Sequence, residues 1–358
     1  MMEVRGKIPI DKSKIQRILV RATNWVGDAV MTLPALEAVR ENFPDSTITV
    51  LARPWVVPMV ENHPAVDAAL PFAKSRGYPW DLVETLRMGH QIRQGGFDLA
   101  ILFQNAFEAA FLAFIGGVKY RVGYNTQGRG FLLSHAVIRD EEITKEHQVE
   151  YYLAILRAMG WEAKSREPVL HVGHKALDSA TNLLSANGIG EDDFLLGLSP
   201  GAIYGPAKRW PEERFASIGD RAVERWGAKL LVFGSKREQD VCGGVVQSMK
   251  GNALDLSGKT SLDEALALIK KCHFFVTNDS GLMHAAAALK VPLVAVFGST
   301  DAVATGPRGK NSRVVRHDTD CAPCLKKECP DDFRCMLDIE ADEVWETMED
   351  LRNDITGM

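Results

Sequence analysis

The sequence predicts an α/β protein made of two Rossmann-like halves. Short runs rich in valine, isoleucine and leucine alternate with segments of helical period, the pattern of buried parallel strands covered by helices. The alternation occurs twice, on either side of a stretch over residues 160–173, GWEAKSREPVLHVG, that has no helical period and holds a proline. The chain also has 358 residues, 46% of them hydrophobic, more than the roughly 250 residues that one core usually supports.

In the first half the apolar runs place strands at 17–21, 47–51, 68–71, 99–103 and 120–122, with helices near 29–42, 80–94 and 147–159. After the linker, strands fall at 194–198, 229–233, 274–277 and 293–297, with helices at 211–225, 236–249, 262–270 and 282–289. Domains are expected over 1–165 and 166–340, with 341–358 a C-terminal helix returning to the first domain. No short-period repeat or low-complexity segment interrupts the pattern.

Composition excludes several function classes. A net charge of -5 and a pI near 6.0 argue against nucleic acid as the partner, since phosphate-backbone binders carry a basic excess. The opening MMEVRGKIPIDKSKIQR has no apolar leader core, and no segment reaches the ~18 continuous apolar residues of a membrane span. The expected location is the cytoplasm. There, Cys321, Cys324, Cys329 and Cys335 favour reduced thiols or a metal over disulfides. Their spacing is not the paired C-x2-C of a zinc ribbon, and they are read as a reduced, thiol-lined loop with no catalytic metal.

Chemistry is sought in the loops after strands, where open α/β sheets bind ligands. The stretch ATNWVGDAV follows the first strand and carries Asn24, Trp25, Gly27 and Asp28. Asp28 has a plain reading as a first-turn carboxylate favoured by the helix dipole. A loop-tip tryptophan and asparagine, with a glycine for a tight turn, suit a ligand wall better than mere solubility. The second stretch, SPGAIYGPAKRWPEERF, places Lys208 between Gly201, Gly205 and a helix start at Pro211, which suits a phosphate. The third, TNDSGLMHAAAAL, puts Asp279, Ser280 and Gly281 at a turn before an alanine-rich helix, with His284 on its first turn; the unpaired N–H groups there face an anion. A lone histidine is otherwise a packed or capping residue.

Two similarities lead nowhere. Gly258-Lys259-Thr260 resembles the end of a P-loop, but the required earlier glycine is Ala253. His171 and His174 resemble a zinc pair but lie at the linker without acidic or thiol partners, and read as solvated. No G-x-G-x-x-G follows the first strand, against a nicotinamide dehydrogenase.

Together, in this order and separation, NWVGDAVMTLPAL, SPGAIYGPAKRWPEERF and TNDSGLMHAAAAL resemble the ADP-heptose:lipopolysaccharide heptosyltransferases, glycosyltransferase family 9. The cysteine cluster is similar to that of the heptosyltransferase II branch. The resemblance spans about residues 17–339 and implies a GT-B fold, two Rossmann-like domains facing across a cleft, acceptor in the first and donor in the second. It implies inverting transfer of heptose from ADP-L-glycero-D-manno-heptose to the inner-core heptose of a lipid A–Kdo–heptose acceptor. That acceptor would lie at the inner face of the cytoplasmic membrane of a Gram-negative cell, the enzyme peripheral to it.

By the same resemblance Asp28 is the general base, Gly27 allows close backbone approach, and Asn24 and Trp25 line the acceptor site. Lys208 meets the pyrophosphate, and Asp279, Ser280, Gly281 and His284 form the donor-contacting loop. Ser235 and Glu238 are placed near the adenosine. Ile203 and Tyr204 depart from the heptosyltransferase I pattern, where hydroxyl residues contact phosphate, and that role is not carried over. No D-x-D-like pair accompanies the phosphate loops, so no divalent metal or other cofactor is expected. The acidic acceptor also requires local positive charge, and Arg121 and Arg129, in the glycine-bearing VKYRVGYNTQGRG with Lys119, are read either as acceptor-binding or as a solvated charged loop. Other readings are heptosyltransferase I, a family 9 transferase with another acceptor, and a nucleotide-sugar-binding protein without catalysis; a mere binder has no need of Asp28.

Overall fold

The computed structural model describes residues 2–6, 9–74, 77 and 80–357, and the chain divides into two compact units, Met1–His171 and Val172–Met358. The first holds a seven-stranded sheet of β1 (Val4–Gly6), β2 (Arg17–Arg21), β3 (Thr47–Ala52), β4 (Ala68–Pro71), β5 (Leu99–Leu102), β6 (Tyr120–Tyr124) and β7 (His135–Val137). Their order is β1-β7-β6-β5-β2-β3-β4. Only β1 runs antiparallel to its neighbour, β7. The order reverses at β2, which pairs with β3 on one side and β5 on the other, Ile18 facing Ile48 and Leu99.

The second unit holds β8 (Leu195–Ser199), β9 (Lys229–Val232), β10 (Ala253–Asp255), β11 (Phe274–Asn278), β12 (Leu293–Phe297) and β13 (Ser312–Arg316). All are parallel, in the order β10-β9-β8-β11-β12-β13. Here the reversal falls between β8 and β11. The central strands β8, β11 and β12 are buried along their whole length, which requires helices on both faces of the sheet.

Local chemistry sets the helix ends. Ser261 and Glu264 form a capping box at the start of Leu262–Lys271, and Gly227, at φ 64°, closes Glu212–Trp226 in the left-handed conformation that glycine adopts without strain. The helix expected at 29–42 is two helices, Val26–Met31 and Leu33–Asn42, joined at Thr32. Pro34, in the first turn of the second, has no N–H to extend the earlier ladder.

The C-terminal helix Ala341–Thr356 packs within the second unit, where Trp345 stacks on Trp226 with centroids 4.7 Å apart, Arg313 binds Asp354 at 2.7 Å, and Val344, Met348 and Leu351 join the core around β8, β11 and β12. Its apolar stripe is satisfied where the second sheet needs a cover. His174 is exposed, as the solvated reading expects, but begins the helix His174–Ala186 instead of lying in the linker. His171 is not a solvated loop histidine, since its ring packs edge-on against His63 at 5.4 Å. Among the described residues no helix is long and apolar enough to cross a membrane.

Candidate active site

In the first unit, Asp28 lies after β2, at the strand-order reversal where open sheets bind ligands. Trp25 caps Val26–Met31 with extended backbone and no side-chain bond, and Trp25 is largely exposed. Gly27 and Asp28 therefore occupy the first helical turn. The tight turn expected at Gly27 is not there: Gly27 is absent from the glycines of positive φ, and the change of direction is made by extended Trp25. Asp28 is half-buried, close enough to Tyr152 for its charge to add to burial in holding that phenol well above its usual range.

The loop is fixed from below by Arg21, the last residue of β2. Its fully buried guanidinium donates to the carbonyls of Ala22 at 2.6 Å and Leu51 at 3.3 Å and to Asn24 Oδ1 at 3.0 Å. Burial pushes its pKa down to about 10, with Arg53 adding repulsion. Trp55, after β3, donates its indole N–H to the Asn24 carbonyl at 2.8 Å. Asn24 is thus held at both ends. Arg53 and Lys74, after β3 and β4, both pair with Glu108, after β5. The sequence reading passed over Arg21, Arg53, Trp55 and Lys74, though each lies at or just past a strand end, the very position used to select Asp28.

Arg129 corrects a second expectation. Arg129 is fully buried, donating to the carbonyls of Tyr124 at 2.9 Å, Gln104, and Ala106 at 3.3 Å, and to Asn105 Oδ1 at 3.2 Å; burial pushes its pKa down to about 10. It ties the loops after β5 and β6 together and offers no surface charge. Arg121 donates to the carbonyls of Leu132 at 2.6 Å and of Val118, and partial burial lowers its pKa. These two side chains bind the segment to its surroundings, while Lys119, Asn125, Gln127 and Gly128 stay exposed.

In the second unit the three strand-end loops converge. Lys208, in the 3-10 turn Pro206–Lys208, reaches Asp279 Oδ2 at 2.5 Å, and Thr300 Oγ1, after β12, donates to the same oxygen at 2.6 Å. Asp279 is only 5% exposed, and a carboxylate so buried needs such partners. Asn278 joins the loops after β8 and β11, accepting from Trp210 N at 3.0 Å and donating to the Pro200 carbonyl at 2.6 Å. Ser280 caps Gly281–Ala288, its Oγ accepting from Met283 N at 3.3 Å. His284 is buried on the first turn of that helix. Glu238 accepts from Ser235 N at 2.8 Å and lies against Gly201, where a Cβ would come within 2.3 Å of its Oε1. Pro211 is the N-cap of its helix, one position before the expected first turn.

The cysteine-bearing segment braces the lysine loop. Lys327 O accepts from Ala207 N at 3.0 Å, and a Cβ on Gly205 would fall 2.3 Å from that carbonyl, which only glycine avoids. Tyr204 donates its hydroxyl to Leu325 O at 2.7 Å, and Lys208 Nζ stands 4.9 Å from the Tyr204 ring centre. All four cysteines are free thiols; burial and the three neighbouring thiols push Cys335 up to about 11. Thr300 and the Leu325–Lys327 carbonyls are contributions no motif announced, and Asn278 lies inside the third motif without having been singled out.

Comparison with known proteins adds to this geometry. The family model for glycosyltransferase family 9 (heptosyltransferase) matches residues 85–333. The lipopolysaccharide heptosyltransferase 2 of Escherichia coli strain K12 is 29% identical over 347 residues, 94% of this chain and 98% of that one. The lipooligosaccharide heptosyltransferase 2 of Haemophilus ducreyi is 30% identical over 349 residues, 94% and 99% of the two chains. The solved structure of the E. coli ADP-heptose lps heptosyltransferase II matches with a TM-score of 0.81 at 28% identity, over 94% of this chain and 98% of that one.

Proposed function

The chain belongs to glycosyltransferase family 9, the heptosyltransferases, and from that membership we propose its reaction in detail: inverting transfer of heptose from ADP-L-glycero-D-manno-heptose to the inner-core heptose of lipopolysaccharide. It is a heptosyltransferase of lipopolysaccharide core synthesis with the GT-B fold. The observation that carries the finer reading is the placement of two groups. A carboxylate, Asp28, lies at the strand reversal of the first sheet, and a lysine paired to a buried carboxylate, Lys208, lies at that of the second.

In this reading Asp28 accepts the proton of the acceptor hydroxyl as its oxygen bonds to the anomeric carbon. The bond from that carbon to the phosphate oxygen breaks with inversion, and ADP leaves with one more negative charge. Lys208 and the N–H groups at the start of Gly281–Ala288 meet that charge. Ser235 and Glu238, after β9, face the nucleoside end, and His284 lies beside the diphosphate. The reading assigns the positive charge to Lys208 and the helix N-terminus, with no divalent metal required. The acceptor is lipid-borne, at the cytoplasmic face of the inner membrane.

The test is ADP release from ADP-heptose by the purified chain over a series of truncated lipopolysaccharide acceptors. Release with an acceptor ending in one heptose, and none with an acceptor ending before it, is the expected result. Preference for the acceptor lacking heptose would make this the first transferase of the series.

A further inference from the structure

The first unit carries an apolar face that the transfer chemistry does not use. In the helix Phe107–Ile115, Phe107, Phe111 and Phe114 recur at i, i+4 and i+7 and share one side; Phe107 and Phe114 are exposed. Phe131, 77% exposed, brings its ring to 6.2 Å from that of Phe107. The helix Trp80–Gly95 runs beside it, since a Cβ on Gly89 would meet Ile115 and one on Gly116 would meet Ile92. Leu82 and Leu86 are exposed on that same flank by helical spacing. Scattered exposed apolar residues need no explanation, whereas a contiguous aromatic and aliphatic face marks an interaction site.

The charge around this face is positive, although the chain as a whole carries -5. The Arg121 guanidinium sits 5.5 Å from the Phe114 ring centre, Lys119 is exposed over Tyr120 at 4.8 Å, and exposed Arg93 lies beside Gly117. The acidic groups nearby do not cancel it. Glu108 is engaged by Lys74 and Arg53, and Asp81 and Glu84 fall on the other flank of their helix by spacing. Lys119 and Phe131 also border an open groove of about 1010 Å³ lined by Arg5, Tyr120 and His135.

We propose that this face docks the enzyme on an anionic lipid surface. The phenylalanines and leucines enter the boundary between headgroups and acyl chains, while Arg93 and Lys119 meet headgroup phosphates. The proposal deepens the functional reading and rests on its lipid-borne acceptor. Vesicle binding is measured without turnover, so the two can fail separately.

The experiment is co-sedimentation of the full chain with vesicles of phosphatidylcholine alone and of phosphatidylcholine mixed with phosphatidylglycerol. The wild type is expected to bind the mixed vesicles in preference. F114S/F131S should weaken that binding by at least about tenfold, and Arg93→Ala and Lys119→Ala by about fivefold each. Turnover of F114S/F131S on a delipidated acceptor should match the parent, which also shows that the variant folds. Equal binding to both vesicle types, no binding by the wild type, or undiminished binding by F114S/F131S would overturn the proposal. A dimer in light scattering that F114S/F131S dissociates would assign the face to a second copy and overturn it as well.

Discussion

Arg21 and Lys208 are two cations at the strand ends of their respective sheets, and they are held in opposite ways. Arg21 is fully buried and bound to main-chain carbonyls and one amide oxygen. Those partners cannot be exchanged without unfolding the loop. Lys208 keeps 13% of its side chain exposed and is held by a single carboxylate, itself shared with Thr300. Such a lysine can turn from Asp279 to a diphosphate without breaking the backbone. A cation satisfied by carbonyls shapes a site; one satisfied by a carboxylate at its edge is available to a ligand.

The comparison can be broken or sharpened by measurement. The largest effect is expected at the residue that the Arg21 loop positions. Asp28→Asn keeps the size and removes the base, so kcat should fall by roughly 100-fold to 10,000-fold with the donor KM little changed; near-normal turnover would reject the role. Arg21→Met should cost about 2 kcal/mol of stability in urea unfolding, through the Ala22 carbonyl and Asn24 Oδ1 losing their donor while the Leu51 carbonyl keeps the Ala22 N–H. An unaltered unfolding midpoint would mean that its hydrogen bonds hold nothing in place.

Lys208→Ala should behave differently, weakening ADP binding by roughly 10-fold to 100-fold in calorimetry and lowering turnover, with a loss of about 1–3 kcal/mol in stability because buried Asp279 keeps Thr300 but loses its counter-charge. If Lys208→Ala leaves ADP affinity unchanged, the contrast between the two cations fails. The smallest effect belongs to Thr300→Val, which removes one hydrogen bond to Asp279 and should raise the donor KM by about fivefold, with Thr300→Ser restoring it. Equal kinetics in the valine variant would leave Asp279 held by Lys208 alone. Treatment with EDTA is expected to leave turnover unchanged; loss restored by a divalent ion would add a metal to the leaving-group chemistry.

Much of this was legible in the residues. The apolar runs gave β2 and β12 their observed bounds, because a central parallel strand is buried on both faces and shows it as an uninterrupted apolar stretch; the edge strand β4 was also read at its observed bounds. β1, β7 and β10, of three residues each, went unread because so short a strand carries too little pattern; β13, SRVVR, was missed because charged residues bracket its two valines. The helix Phe107–Ile115 was also missed. Its sequence, FEAAFLAFI, is apolar at nearly every position and so has no period to detect.

By itself the sequence determined the alternation of strand and helix and which residue types lie just past the central strands, because both are local: burial imposes a period, and loops select glycine, proline and polar side chains. Only the tertiary structure decided what those residues touch. Lys208 and Asp279 are 71 positions apart and Thr300 lies 21 positions beyond Asp279, and nothing in any one stretch predicts that they share an oxygen. Arg129, in a glycine-bearing stretch that reads as a charged loop, is fully buried on carbonyls. The order of strands in a sheet brings distant loops to one edge, and whether a charge there meets solvent, a carbonyl or a carboxylate follows from that order alone.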